Sequence, residues 1–111
     1  MDCIFCKIAT GEIPVELVYE DENLVAFNDL APQAPTHILI IPKAHHANVG
    51  ELANANPEVV GELFQVAASL SAARGLDGYR TVFNTGESAG QSVFHAHLHL
   101  MGGRAFTWPA G

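Results

Sequence analysis

The sequence predicts an α+β fold, with a five-stranded antiparallel sheet, one long helix and a short N-terminal helix. Three observations predict it. Short runs rich in Val, Ile, Leu, Tyr and Phe recur at 15–20, 24–28, 36–41, 79–84 and 94–101, with turn residues between them, which is the pattern of strands. One long stretch, opening at Asn56-Pro57-Glu58, carries apolar residues at helical spacing. The strands come as a meander with that helix before the last two, which favours an antiparallel sheet over alternating parallel units.

Taken in order, Ile4–Thr10 is apolar-periodic and ends at Gly11, so it reads as one or two helical turns. Pro14 opens an extended segment, and Glu20-Asp21-Glu22-Asn23 turns it back as a hairpin. Residues 29–35 contain two prolines and read as a loop. Residues 36–41 are a strand stopped by Pro42, and 43–56 are irregular, with a helical turn near 49–54. Asn56 is a cap residue, Pro57 sits at the first helical position and Glu58 places acid in the first turn. Val59, Val60, Leu63, Phe64, Val66, Ala67 and Leu70 then form the apolar stripe, and Gly75 stops the helix. The chain closes on a short tail that carries Trp108.

At 111 residues the chain has room for one core, and the whole of 1–111 reads as a single domain. Hydrophobic content of 49% against 15% charged residues is globular, not disordered. No run approaches a membrane span, and Met1-Asp2-Cys3 does not open a signal peptide, so the expected compartment is the cytoplasm and no membrane partner is expected. Five basic residues against 12 acidic ones argue against a nucleic-acid partner. An anionic ligand would have to be held by local neutral donors. Cys3 and Cys6 are too close in sequence to staple a domain and read as metal or redox chemistry.

The chemistry concentrates in His95-Ala96-His97-Leu98-His99-Leu100-Met101. On a strand, His95, His97 and His99 share one face, while Phe94, Ala96, Leu98 and Leu100 face a core. Imidazole can attack phosphorus and leave again near neutral pH. His97 is central, and a backbone carbonyl is its expected orienter because the run holds no carboxylate. Alternating strand histidines can also present metal ligands, or simply be three satisfied side chains. The preceding loop offers Gly86 and Gly90 for close backbone approach, Gln91 and Ser92 as neutral donors, and Asn84 just before. Asp29 is either a turn former or a carboxylate for the two hydroxyls of a ribose. Phe5, Ile8, Phe27 and Leu30 suit an apolar slot for a base, or an ordinary core.

The histidine run, with Gly90-Gln91-Ser92-Val93-Phe94 before it and Gly102-Gly103-Arg104 after it, resembles the signature of the histidine-triad nucleotide-binding family. The stretch from Asp29 through Pro35-Thr36-His37, together with Ile41-Pro42-Lys43, is similar as well. Trp108-Pro109-Ala110-Gly111 resembles the nucleoside phosphoramidase branch. The likeness runs from Cys3 to Gly111.

This resemblance implies a HIT-like fold and a homodimer whose sheets join across the interface. It implies hydrolysis of purine nucleoside 5′-phosphoramidates through a nucleotidyl-histidine intermediate, releasing the nucleoside 5′-monophosphate, such as AMP, and an amine. Carried over, His97 is the nucleophile, His99 and His37 complete the triad, and Ser92 donates to the bridging or leaving atom. Asn84 and the backbone from Gly90 through Gln91 and Ser92 to Val93 hold phosphate oxygens. Asp29 holds the ribose, with Phe5, Ile8, Ile13, Phe27 and Leu30 around the base. Asn28 stands where close relatives often carry histidine. Trp108 shapes the leaving-group pocket of the opposite subunit.

Some family members bind structural zinc (Zn2+), and the resemblance maps that site to Cys3, Cys6, His45 and His95, with His46 a spare neighbour. The phosphate chemistry itself needs no cofactor. Two other readings share the motif: a dinucleoside polyphosphate hydrolase or nucleotidyl transferase, and a non-catalytic nucleotide-binding partner protein. His99 argues against the transferase class, where glutamine is common. The intact triad with Ser92 argues for an enzyme.

Overall fold

Seven consecutive buried residues, Thr36–Pro42, form the central strand of a computed structural model that describes residues 3–110. Met1 and Asp2 of the opening, and Gly111 of the tail motif, lie outside the described residues. The elements run α1 (Ile4–Thr10), β1 (Leu17–Glu20), β2 (Leu24–Asn28), β3 (Thr36–Pro42), α2 (Val49–Ala55), α3 (Pro57–Ala73), β4 (Tyr79–Val82) and β5 (Leu98–Gly102), with a single 3-10 turn at Glu87–Ala89. The fold is α+β. Its five strands pair antiparallel in the order β1-β2-β3-β5-β4.

That order corrects the simple meander. β5 inserts between β3 and β4, because alternate β5 residues Leu98, Leu100 and Gly102 are buried and need neighbours on both sides. β4, exposed or half-buried throughout, takes the edge. The sheet then has two faces. Leu24, Ala26, Ile38, Ile40, Leu98 and Leu100 pack beneath Leu52 of α2 and Val59, Leu63, Val66 and Ala67 of α3. Each fully buried aliphatic side chain there contributes about 2 kcal/mol of transfer free energy. On the other face, Val25, Phe27, Leu39 and Ile41 meet Cys3, Phe5 and Ile8.

The helices add to the sequence reading. The expected helical turn near 49–54 is a full third helix, α2, capped by Asn48, whose side chain accepts from the Glu51 N–H at 2.9 Å. Asn56 does not cap α3 through its side chain; its backbone N–H instead closes α2 on the Leu52 carbonyl. The helices abut with no loop between them, so one residue serves both ends. Phe64, placed on the apolar stripe, is 44% exposed and meets Phe83 edge-on, ring centroids 6.0 Å apart.

The histidine run is only partly a strand. Regular pairing starts at Leu98, and Phe94, expected in the core, is 50% exposed. Upstream of Leu98 the chain bonds to a different partner: the Ala96 N–H donates to the His46 carbonyl at 2.7 Å. The alternation nevertheless survives, because Ala96, Leu98 and Leu100 lie in the helix-side core.

Candidate active site

Register builds the site. Phe27 pairs with Leu39 and Leu39 with His99, so these three form one row on the α1 side of the sheet. His37 lies one row along, opposite Met101. The Asp29 N–H donates to the His37 carbonyl at 2.9 Å, which ties the loop after β2 to β3. Phe5 reaches over from α1, and its ring stands edge-on to His97 at 5.0 Å and to Phe27 at 5.6 Å.

Hydrogen-bond partners that can act in only one sense assign the imidazole tautomers. His97 Nδ1 lies 2.7 Å from the His95 carbonyl oxygen. A carbonyl can only accept, so Nδ1 carries the proton and Nε2 keeps a free lone pair. The Gln33 N–H donates to His37 Nδ1 at 3.0 Å, which puts the His37 proton on Nε2. That proton faces His99 Nδ1 at 2.9 Å and Asp29 Oδ2 at 3.3 Å. With Nδ1 accepting, His99 carries its own proton on Nε2, a buried atom with no hydrogen-bond partner among the described residues. A buried N–H without a partner is costly in an empty site and useful in a filled one.

Electrostatics agree with neutral rings at His99 and His37. Burial pushes His99 down to about 4, and the neighbouring His97 and His37 add to this while Asp29 opposes it. Burial also lowers His37, against the pull of Asp29.

A cavity of about 390 Å3 opens onto Asp29, His97 and His99, while His37 stands behind them and does not line it. Of the sequence-expected residues, Phe5, Ile8, Phe27, Asn28, Asp29, Leu30, Ser92, Val93, His97 and His99 line it. Ile13 packs behind, in the α1-side core. Asn84 sits beside Gly90, its Nδ2 4.0 Å from where a Cβ would stand. Gly90, Gln91 and Ser92 line a second hollow of about 390 Å3 with Glu87 and Phe94, so Ser92 belongs to both. Gln91 departs from its expected place among the ligand donors: it is 2% exposed, and both Nε2 protons go to backbone carbonyls, of Ala47 at 2.7 Å and Val93 at 3.0 Å. Trp108, 84% exposed, lines neither hollow. Sequence reasoning missed Ile4, Val15, Glu16 and Leu39 in the cavity wall. Leu39 was findable, since strand alternation puts it opposite the Ile38 and Ile40 face.

Cys3, Cys6, His45 and His95 converge separately. Cys3 Sγ to His95 Nδ1 is 3.3 Å, Cys6 Sγ to His45 Nδ1 is 3.3 Å, and the two Nδ1 atoms are 3.2 Å apart. Tetrahedral zinc bonds of ordinary length require ligand separations of roughly 3.3–3.8 Å, so the two thiol–imidazole distances fit that ion and the two imidazoles need part by only about 0.1 Å. His95 Nε2 donates to the Pro42 carbonyl at 2.7 Å, which leaves Nδ1 as the ligand atom, oriented from behind as metal-binding imidazoles are. Without a cation, burial and the adjacent Cys3 push the Cys6 thiol up to about 11; a cation would reverse that balance. His46 stands outside this group. His99 converges with Asp29 and His37, not with His97.

The fold and this arrangement define a histidine-triad protein, and a family model described as the HIT domain matches residues 10–106. The chain belongs to the HIT domain family. It is 51% identical to a HIT family hydrolase from Legionella pneumophila, whose crystal structure superposes with a TM-score of 0.94 over 99% of this chain and 100% of that one. It is 53% identical to the 14 kDa zinc-binding protein of Zea mays, over 97% of this chain and 87% of the relative. A histidine triad nucleotide-binding protein from Candida albicans is 34% identical with a TM-score of 0.84, over 99% of this chain and 85% of that one. In fold this is a HIT family hydrolase-like protein, and no helix among the described residues is long and apolar enough to cross a membrane.

Proposed function

We propose that the single domain 1–111 hydrolyses purine nucleoside 5′-phosphoramidates. The observation that carries this reading is the pair of complementary ring atoms at one cavity: a free lone pair on His97 Nε2 and an unpartnered proton on His99 Nε2. A nucleophile and a neutral hydrogen-bond donor are what a phosphoryl centre needs from a protein of net charge −7.

His97 Nε2 attacks phosphorus, the bond from phosphorus to the amine nitrogen breaks, and a nucleotidyl-histidine forms. The proton stays on His97 Nδ1, where the His95 carbonyl accepts its hydrogen bond and stabilises the positive charge of the ring. The Ser92 hydroxyl passes its proton to the departing nitrogen, so that the amine leaves neutral, and the water that attacks next returns a proton to Ser92. His99 Nε2 donates to a phosphoryl oxygen, its orientation set through His37 by the Gln33 backbone. Water then attacks phosphorus, the bond to His97 breaks, and a nucleoside 5′-monophosphate leaves.

Asp29 holds the ribose with the lone pairs left after Oδ1 accepts from the Ala31 N–H, and Phe5, Ile8, Phe27 and Leu30 enclose the base. Asn84 and the backbone N–H groups of Ser92 and Val93 hold phosphate oxygens, because those of Gly90 and Gln91 already donate to the Glu87 and Gly86 carbonyls. Cys3, Cys6, His45 and His95 hold zinc, as the name of the maize relative and the ligand spacing support. The metal serves to fasten the start of α1 to the loop after β3. The working form is a cytoplasmic homodimer in which Trp108 reaches the partner's leaving-group pocket.

The test compares kcat/KM for adenosine 5′-phosphoramidate with that for diadenosine polyphosphates. The phosphoramidate should win. Preference for a polyphosphate assigns the protein to the other hydrolytic class, and binding without turnover makes it a partner protein.

A further inference from the structure

Gln91 is almost fully buried, yet its side chain touches no other side chain through a hydrogen bond. All three of its bonds go to backbone. Oε1 accepts from the Gly86 N–H at 2.9 Å, and Nε2 donates to the carbonyls of Ala47 and Val93. Its own N–H donates back to the Gly86 carbonyl at 3.1 Å. Gly86 and Gln91 therefore clasp each other and close the turn between them, which also needs the positive φ of 91° at Gly86.

The bond to Val93 matters most. Gln91 and Val93 flank Ser92, so one amide group pins the backbone on both sides of it. The Ala47 bond anchors the same amide to the segment after β3, which Ala96 also grips through His46. Ser92 itself is exposed and stands where the two hollows meet. We propose that Gln91 is the positioning residue for Ser92: it holds the hydroxyl at the junction across which the leaving group departs. The inference rests on the phosphoramidate reading. It replaces ligand donation by the Gln91 amide with a strut whose polar atoms are already bonded to backbone.

The experiment measures kcat/KM for two adenosine phosphoramidates, one with a strongly basic alkylamine and one with a weakly basic arylamine. The alkylamine needs its proton from a well-placed donor and the arylamine hardly does. Gln91→Met, close to isosteric and unable to make the three bonds, should lose about a hundredfold on the alkylamine, the size expected of an ångström-scale misplacement. It should lose about tenfold less on the arylamine. Ser92→Ala should show the same split, and the double variant should fall little further than either single one, as groups acting as one unit do. Equal losses on both substrates, or additive losses, overturn the proposal, because a merely loosened fold would act so.

If the wild-type protein cleaves neither substrate, the phosphoramidate reading fails and amide exchange judges the strut. The Gly86 amide should then exchange at least about tenfold faster in Gln91→Met, while the Leu100 amide keeps its protection. Unchanged exchange at Gly86 overturns the strut as well.

Discussion

His97 donates its Nδ1 proton to the carbonyl oxygen of His95, two residues back, across 2.7 Å. The same His95 turns its own Nδ1 toward Cys3, Cys6 and His45. One residue thus orients the proposed nucleophile through its backbone and joins the Cys3, Cys6 and His45 cluster through its side chain.

His97→Ala should abolish turnover in a protein that still folds. Its lone pair is the free one at the cavity, and loss of a covalent nucleophile commonly costs several orders of magnitude. His97→Gly with added imidazole is expected to recover part of the rate. An alanine variant that keeps more than about a tenth of wild-type kcat removes the assignment, since that is only one tenfold step.

Protein purified without chelator should carry about one zinc per chain. Chelation should lower Tm more than kcat, because the proposed ligands fasten α1 and the His45 loop while the proposed phosphate contacts belong to His97 and His99. The smaller loss of kcat would pass through the His95 carbonyl. Elemental analysis without metal discards the site, and a collapse of kcat at unchanged Tm shifts the assignment to a metallohydrolase.

Acid should weaken the fold through the buried imidazoles. Burial, then His97 and His37, put His99 at about 4, and burial also lowers His37 and His95. The unfolded chain therefore binds more protons than the folded one below about 6.5. Stability is complete above that value and drains as pH falls through the window toward the folded value. Tm should decline from about pH 7 to pH 4.5, and His99→Asn should make the decline shallower. Parallel curves for the variant and the wild type count against His99 as a source.

Truncation after Thr107 should leave the phosphate chemistry in place, since Trp108 lines neither hollow of its own chain. The ratio of kcat/KM for a bulky aromatic amide to that for the plain phosphoramidate should shift by roughly tenfold or less, the worth of one or two apolar contacts. Sedimentation of both forms should show the same assembly. An unchanged ratio makes the tail a spectator.

Much of this was legible because strand alternation is a local property. Ile38 and Ile40 against Leu39 and Ile41, and Leu98 and Leu100 against His97 and His99, sort to opposite faces from spacing alone. The helix Pro57–Ala73 announced itself through its proline and its stripe. What stayed hidden depends on partners distant in the chain. Nothing local tells β5 to enter the sheet before β4, nor Phe94 to stay in solvent while Ala96 bonds to His46. Gln91 read as a ligand donor because its type and its glycine neighbours suit one. Only the approach of Ala47 shows that its donors are already used.

The contact between His37 and His99 spans 62 positions, carried by the pairing of β3 with β5. Pairings so far apart in sequence close late and slowly, after the local helices and the first hairpin. The proposed activity therefore requires β5 to have joined the sheet. During synthesis or refolding, enzymatic signal should lag helical circular dichroism, and the delay between the two would time the arrival of the last strand in the sheet.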